Sequence, residues 1–460
     1  MTKDNESIKA RPVLAVDVVE AGVRARRARA RCELGTNITF NLVDLQSYFF
    51  AEWNPTAYDA LLVAAVVEFA DRTLRRSTMN WPREFVLNIP VHDPAHWNGK
   101  VVSETLKEAL IFLTGDSWEI SFYQRRQALE RPQQGHFSLQ QGTTAVIPFS
   151  DGLDSRCVAG LMAREMGDKL VRVRVGTKDY DGHDPSKQPF ASIPYEVKAG
   201  AKKFVESSAR SRGFKFALIS GLAAFLSKAG QIIVPESGQG ALGPSLVVVG
   251  QSYEDYRSHP LFTGRMEKFL LALLGHRVRF QFPRLWNTKA ETLRKFVDEC
   301  DDRASWAATW SCWQQNRHSS VDHKRRHCGI CAACMLRRLS VHAAGLTEAP
   351  ETYVWEDLSA LSFSEGAATS FPEKKKAGRM RHYAIAGALH LDHLADLSSS
   401  AANSRMLSLN AFQLGRALGL SEDDARNKLN RLLQKHEEEW KGFVNSLGSS
   451  SFVARWAAAA

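Results

Sequence analysis

Two short stretches of this chain hold side chains whose types and spacing could do chemistry. The first is Ser150-Asp151-Gly152-Leu153-Asp154-Ser155. It follows an apolar run at 144–149 and leads into a helical pattern over 157–166. A glycine-bearing turn between a strand and a helix aims backbone N–H groups at one point, which suits phosphate. Ser150 and Ser155 add hydroxyl donors, and Gly152 lets the backbone come close without a Cβ clash. No Gly-Lys-Ser/Thr ending is present, which excludes the common nucleotide P-loop. The bland reading of the same residues is a turn that caps the helix. Asp154 would order the loop or support Mg²⁺; its bland reading is a first-turn acid favoured by the helix dipole.

The second stretch is Cys312 with Cys328-Gly329-Ile330-Cys331-Ala332-Ala333-Cys334. Cysteines two residues apart can hold one ion from a turn, and four thiolates close a tetrahedral structural zinc site with no open position. An iron–sulfur cluster and a redox pair use the same spacing. His318, His323 or His327 could replace Cys312 as a ligand. Cys32, Cys157 and Cys300 complete a total of 7, and the odd count argues against a disulfide framework.

Weaker candidates surround these. The run from Glu236 through Gly238 and Gly240 to Gly243 follows an expected strand at its C-terminal end, where open parallel sheets bind ligands. Its glycines suit close backbone approach. Arg265, at a helix start, could meet a carboxylate or phosphate. Arg24, Arg26, Arg27, Arg29 and Arg31 form either a solvated loop or a patch for phosphate or RNA.

The elements that must position these groups divide the chain in three. Residues 1–140 read as a separate α/β unit with strands at 11–20, 37–43, 84–90 and 118–123 and helices at 55–76 and 102–113. Residues 141–350 alternate strand and helix. Strands are expected at 144–149, 170–176, 231–235 and 278–282. Helices are expected at 157–166, 201–213, 216–229, 261–274 and 289–300, the last with Thr288 as N-cap. This βαβ pattern favours a parallel sheet covered by helices. Residues 351–460 read as a polar linker over 361–377 followed by helices, with a charged, solvated one at 422–440. No internal repeat is visible.

The 460 residues carry 60 Lys plus Arg against 50 Asp plus Glu, a formal net charge of +10. An anionic partner fits that excess: a nucleotide, a nucleic acid or an acidic protein surface. No apolar run reaches the ~20 residues of a membrane span, and the polar N-terminus carries no signal core. A cytoplasmic protein is expected.

The loop resembles the PP-loop, S-G-G-x-D-S/T, of N-type ATP pyrophosphatases, which split ATP between its α and β phosphates. Asp151 stands where the first glycine usually does. A carboxylate there repels polyphosphate unless it turns away or binds Mg²⁺. By chain order, Val173, Arg174, Val175 and Gly176 correspond to the strand end that lies against adenine, and Val175 is the ATP contact this implies.

The loop together with Cys312, Cys328-Gly329, Cys331, Cys334 and Arg337 is similar to the QueC family, the 7-cyano-7-deazaguanine synthases. Pro283 to Glu291, with Thr288-Lys289-Ala290-Glu291, resembles that family's T-K-A-E segment, and Ser252 to Arg265 is roughly similar too. The resemblance covers about residues 143–346. It implies a PP-loop (adenine nucleotide α-hydrolase-like) α/β core with a zinc knuckle, an N-terminal α/β domain and a C-terminal helical region. It implies ATP, Mg²⁺ and Zn²⁺ as cofactors. The activity implied is adenylation of 7-carboxy-7-deazaguanine and acyl transfer to an amine. Lys289 would contact the polyphosphate, Glu236 an exocyclic amine of the guanine-like ring, and Arg337 would brace the knuckle.

The flanking residues, 1–140 and 351–460, make the outline similar to the QueC-like proteins of bacterial antiphage systems, QatC among them. That resemblance implies a partner protein from the same system, with a protein amine as a candidate acceptor. A tRNA-modifying PP-loop enzyme and a nucleotide-binding scaffold with a degenerate loop remain as alternatives.

Overall fold

A computed structural model describes residues 11–26, 29–49, 53–77, 81–126, 142–176, 188–201, 203–248, 253–314, 318–376 and 378–458. Arg27, Ser252, Ala377, Ala459 and Ala460 lie outside the described residues.

The chain begins with β1 (Val13–Val19), β2 (Ala30–Glu33), β3 (Ile38–Phe40) and a single turn, α1 (Leu42–Leu45). The helix α2 (Pro55–Thr73) follows, its first turn set by Pro55 and by the Asn54 side chain, which accepts from Ala57 N–H. Then come β4 (Glu84–Val91), α3 (Pro94–Asn98), α4 (Lys100–Thr114) and β5 (Ser117–Gln124). The four longer partners form a parallel sheet in the order β2-β1-β4-β5. The expected strand at 37–43 is shorter than read, because Asn41 caps α1 instead of continuing it.

A second parallel sheet follows. Its elements are β6 (Ala145–Phe149), α5 (Leu153–Met166), β7 (Leu170–Arg174), β8 (Tyr195–Val197), α6 (Arg212–Leu226) and β9 (Gln231–Ile233). The short α7 (Gly238–Ala241) and α8 (Gly243–Leu246) lead to α9 (Pro260–Leu274), β10 (Arg279–Gln281) and α10 (Lys289–Glu299). The order is β10-β9-β6-β7, and Phe190 adds a parallel bridge to Val173 beyond β7. The central strands β4 and β6 are buried on two faces, as inner parallel strands require, while the edge strands β5 and β10 alternate buried and exposed residues.

The helix read at 201–213 does not form among its described residues up to Ser211; its last two residues, Arg212 and Gly213, open α6 instead. There the chain is committed to the first unit: Val205 and Glu206 donate to the Arg72 carbonyl, and the Glu206 carboxylate takes the Arg76 N–H. The two units are also not separate in packing. One apolar core runs from Val16 and Leu61 through Leu110 to Phe214, Leu270 and Phe280.

The last part holds a small hairpin, β11 (Ser320–Val321) with β12 (Lys324–Arg325), then α11 (Ala332–Ala343) and α12 (Arg379–Asp396). It ends with α13 (Ser404–Leu418), α14 (Glu422–Leu447) and α15 (Phe452–Ala457). The stretch read as a linker is instead part of a core: Phe363, Ala367, Ala368 and Phe371 pack around Trp355 with the four clustered cysteines. Its serines and alanines are small enough to let the backbone turn tightly against that indole, which donates to the Phe363 carbonyl. Nor is α14 wholly solvated: Leu429, Leu432, His436, Glu439 and Trp440 form a buried face. No helix among the described residues is long and apolar enough to cross a membrane.

Candidate functional site

The sheet order places two strand ends side by side. β6 delivers Ser150 to Ser155, and its neighbour β9 delivers Glu236 and Ser237. The order reverses between these strands, the usual position for a ligand crevice.

The loop is held by its own hydroxyls. Ser155 Oγ accepts from Ser150 N–H at 3.0 Å, and Ser150 Oγ from Gly152 N–H at 3.3 Å. Gly152 has φ −71°, so glycine is not required there by backbone handedness; a Cβ would stand 3.4 Å from Ser150 Oγ. Leu153 is buried under α10 among Cys157, Leu293 and Phe296.

Asp151 turns its carboxylate away. Arg174, 3% exposed, donates to Asp151 Oδ1 at 2.7 Å. The cation beside the loop therefore neutralises the carboxylate that distinguishes it. Val175 N–H donates to the Phe149 carbonyl at 2.9 Å, which keeps Val175 next to the loop's first residue. A Cβ on Gly176 would meet Asp151 Oδ2 at 3.1 Å.

Asp154 and Lys289 are brought together. Thr288 caps α10 with a full capping box: its side chain accepts from Glu291 N–H, and the Glu291 carboxylate accepts from Thr288 N–H. This fixes Lys289 at the first helical position, where its ammonium forms an ion pair with Asp154 Oδ2. Burial pushes Lys289 down to about 7, with Arg337 adding to the effect. Asp154 Oδ1 and Ser237 Oγ are buried without a hydrogen-bond partner. Two unsatisfied polar atoms at neighbouring strand ends fit a cation or a phosphate oxygen.

Glu236 is half-buried, and withdrawal from water raises its carboxyl to about 7 against the opposing charge of Arg257. Gly240 makes room for it: a Cβ there would stand 2.0 Å from Glu236 Oε1. Gly238 is glycine for another reason, since a Cβ would lie 2.3 Å from the Leu285 carbonyl and 2.5 Å from Leu432 of α14. Arg265 turns to the first unit, with its guanidinium 3.8 Å over the Phe112 ring and bonded to the Leu261 carbonyl. Of the described residues of the arginine run, Arg26 and Arg29 pair with Asp17, and Arg31 with Glu33, while Arg24 and Arg26 stay exposed.

The cysteines converge. The Sγ atoms of Cys312, Cys328, Cys331 and Cys334 all lie within 4.8 Å of one another and are buried. Zinc–sulfur bonds of ~2.3 Å in a tetrahedron put sulfurs about 3.8 Å apart, and Cys328 and Cys334 are at 3.8 Å. Cys312 Sγ accepts from Cys328 N–H, and Cys328 Sγ from Cys331 N–H, so the backbone already stabilises thiolates. Gly329 turns with φ 83°, and a Cβ there would meet the Trp355 carbonyl at 2.9 Å. The four residues thus fit zinc. His323 is exposed, and His327 stacks on Trp310 at 4.3 Å.

Several contacts here carry no signal in the sequence, although Arg337 itself was expected to brace the knuckle. Trp310 N–H donates to the Asp151 carbonyl at 2.6 Å, which ties the knuckle to the loop. Arg337, fully buried, bonds Thr309 Oγ1, the Trp306 carbonyl and Glu348, so it braces the segment leading to Trp310. Gln239 accepts from Lys289 N–H at 2.7 Å and meets His436 of α14 at 2.8 Å, while Glu439 accepts from Thr288 Oγ1 at 2.7 Å. Burial lowers His436 to about 4 and raises Glu439 to about 7. The contacts of Gln239 with Lys289 and His436, and of Thr288 with Glu439, span 50 to 197 residues of chain, too far for a local pattern to show.

Fold and site together define an α/β chain with a phosphate-suited loop at a strand-order reversal and a thiolate cluster fit for zinc. Residues 239–345 match the family model of the queuosine biosynthesis protein QueC. That match takes in Gln239, Lys289 and the four cysteines, and the loop at 150–155 lies outside it. No curated protein and no solved structure matches the chain.

Proposed function

We propose that the chain is an ATP-using enzyme of the PP-loop type that adenylates a carboxylate, 7-carboxy-7-deazaguanine or a close analogue, and transfers the acyl group to an amine. One observation carries this reading. A QueC-like segment is joined in space, through Lys289 to Asp154 and Trp310 to Asp151, to a loop of phosphate-binding form that the match does not include.

The chemistry balances simply. A carboxylate oxygen bonds to the α-phosphorus, the bond to the β-phosphate bridging oxygen breaks, and pyrophosphate leaves. The amine nitrogen then bonds to the acyl carbon, AMP leaves with the former carboxylate oxygen, and the amine loses a proton. Ser150, Gly152 and Ser155 supply loop donors, and Lys289 supplies positive charge where pyrophosphate develops. Asp154 Oδ1 would support Mg²⁺, which offsets charge on the polyphosphate. Val175 borders the adenine side. Glu236, beside Gly240, would take the exocyclic amine of the base. Zinc at the four cysteines is structural.

In this reading the acceptor is a protein amine supplied by a partner, as the likeness to QatC-type defence proteins suggests. The test is pyrophosphate release from ATP with 7-carboxy-7-deazaguanine, followed by intact-mass analysis of co-purified proteins. Release with a deazaguanine mass gain on a partner supports the proposal. Nitrile release alone would make ammonia the acceptor, and release that requires RNA would favour a tRNA-modifying enzyme. No release under any of these conditions sinks the enzyme reading in favour of a scaffold.

A further inference from the structure

We infer that residues 13–124 are a second, degenerate copy of the fold at 145–281, packed on it about a local two-fold axis as a built-in subunit. The two sheets have the same strand order when each is counted along the chain: second, first, third, fourth. All pairs in both are parallel. In each copy a short extra strand, β3 or β8, follows the second sheet strand and precedes a long helix. Each copy then closes with a 15-residue helix, α4 or α9, ended by a left-handed glycine, Gly115 at φ 68° and Gly275 at φ 64°. The strands after them alternate alike: Trp118, Ile120, Phe122 against Val278, Phe280, Phe282.

The contacts between copies are those a two-fold axis makes, in which each element meets its own equivalent. β3 pairs with β8 antiparallel, with Thr39 opposite Glu196. α2 packs on α6, and α4 on α9. Lys215 of α6 bonds Glu68 of α2 at 2.8 Å, and Ser211 N–H donates to Asp71 at 2.9 Å. What the first copy lacks is the phosphate-loop position. No helix stands between β1 and β2 among the described residues, and the residue after β1 is Glu20, buried, with its carboxylate on Arg126 N–H.

The first copy also holds part of the site in place. Tyr253 lies parallel to Trp81 with ring centres 6.2 Å apart, and its hydroxyl donates to the Phe112 carbonyl at 2.6 Å. Arg210 donates to the Tyr253 and Glu254 carbonyls. The residues that follow put Asp255 and Arg257 within electrostatic reach of Glu236. A built-in subunit thus does two things: it covers the α6 and α9 face, and it fixes the Arg257 segment.

None of this rests on nucleotide binding, and the test needs none. The full chain is expected to sediment as a 51.3 kDa monomer over a wide concentration range and to unfold in a single calorimetric transition. Glu68→Lys should lower that one transition without splitting it. Trp81→Ala should keep the monomer and speed amide exchange at 253–257, while leaving the cysteine knuckle unchanged. A reversible dimer, or two resolved transitions with the first copy melting alone, would overturn the built-in subunit. Unaltered exchange at 253–257 in Trp81→Ala would overturn its positioning role.

Discussion

The main-chain N–H of Trp310 donates to the Asp151 carbonyl at 2.6 Å, so the cysteine knuckle grips the second residue of the loop at 150–155. Trp310 is itself held by its neighbours. Its indole N–H donates to the Cys312 carbonyl at 3.0 Å, His327 stacks on one face, and Arg325 lies 4.0 Å from the ring centre. A metal with no open coordination position can still govern a loop by fixing the backbone next to it. Groups that orient a site from behind typically matter by ~10–100-fold in activity.

Cys331→Ser is therefore expected to lose bound zinc and to cut pyrophosphate release by about tenfold or more. Metal content by mass spectrometry and an ATP turnover assay check this together. Full activity in a zinc-free variant would separate the knuckle from the loop.

Arg174 gives the second expectation. Its bond to Asp151 is charge-assisted and mostly buried, worth about 1.5–3 kcal/mol. Asp151→Ala leaves a buried guanidinium beside the loop without that partner. The expected result is a destabilised chain and a raised KM for ATP, about tenfold, with smaller change in kcat. Asp151→Gly, which places there the residue the PP-loop pattern carries, should behave no better here, because Arg174 remains. Higher activity in Asp151→Gly would show that the carboxylate hinders the reaction.

Lys289 predicts a pH dependence. Its ammonium is pushed down to about 7 by burial, with the Arg337 charge adding to the effect. Charge at this position is the useful form, so turnover should fall as pH rises through the lysine's titration. Lys289→Arg, which stays charged, should extend activity to higher pH, and Lys289→Ala should cost about 10²–10³ in kcat. Identical alkaline limbs for the native chain and Lys289→Arg would assign that limb to another group.

How much of this was legible in the sequence follows from range. The loop, the cysteines and the Thr288 cap each act within a few residues, so spacing alone displayed them. The longer strands and helices of both units were visible as apolar periodicity for the same reason, whereas β2, at the end of the arginine run, and the three-residue β8 are too short to show a period. The false helix at 201–213 and the false linker at 361–377 are segments whose partners, Arg72 and Trp355, are set by tertiary packing. The contacts of His436 with Gln239 and of Glu439 with Thr288 join α14 to a site some 150 to 197 residues earlier. The duplicated topology was hidden too, since sheet order is not written in any local pattern.

Asp71, Arg83 and Asp116 form a buried ion cluster beneath the first unit, joined by Arg76. Burial pushes the Asp71 carboxyl up, but the Arg83 guanidinium outweighs it, leaving Asp71 below its usual range. Asp71→Asn should destabilise the chain by about 3 kcal/mol or more, since one partner of a buried pair is removed. Because the folded value is depressed, this contribution is present above the unfolded value and lost as pH falls through the folded one. The variant should accordingly show a shallower acid limb in urea unfolding below about pH 4. An unchanged acid limb would place the acid sensitivity elsewhere.

Glu439 predicts the opposite slope. Its carboxyl is 8% exposed, accepts from Thr288 Oγ1, and is raised by burial from 4.5 to about 7. The folded chain thus keeps a proton there that the unfolded chain releases at lower pH. Between pH 4.5 and 7 the unfolded state binds fewer protons at this site, so its contribution to stability falls as pH rises and then levels off. Glu439→Gln keeps an acceptor for the Thr288 hydroxyl without the charge. Relative to the native chain, the variant should gain stability with increasing pH across that window, by at most ~1.4 kcal/mol per pH unit. Urea unfolding of both chains at several pH values measures the difference directly, and a flat difference would mean that Glu439 ionises freely in the folded state. The same variant should retain pyrophosphate release, since Thr288 keeps its partner and the capping box that fixes Lys289 is intact.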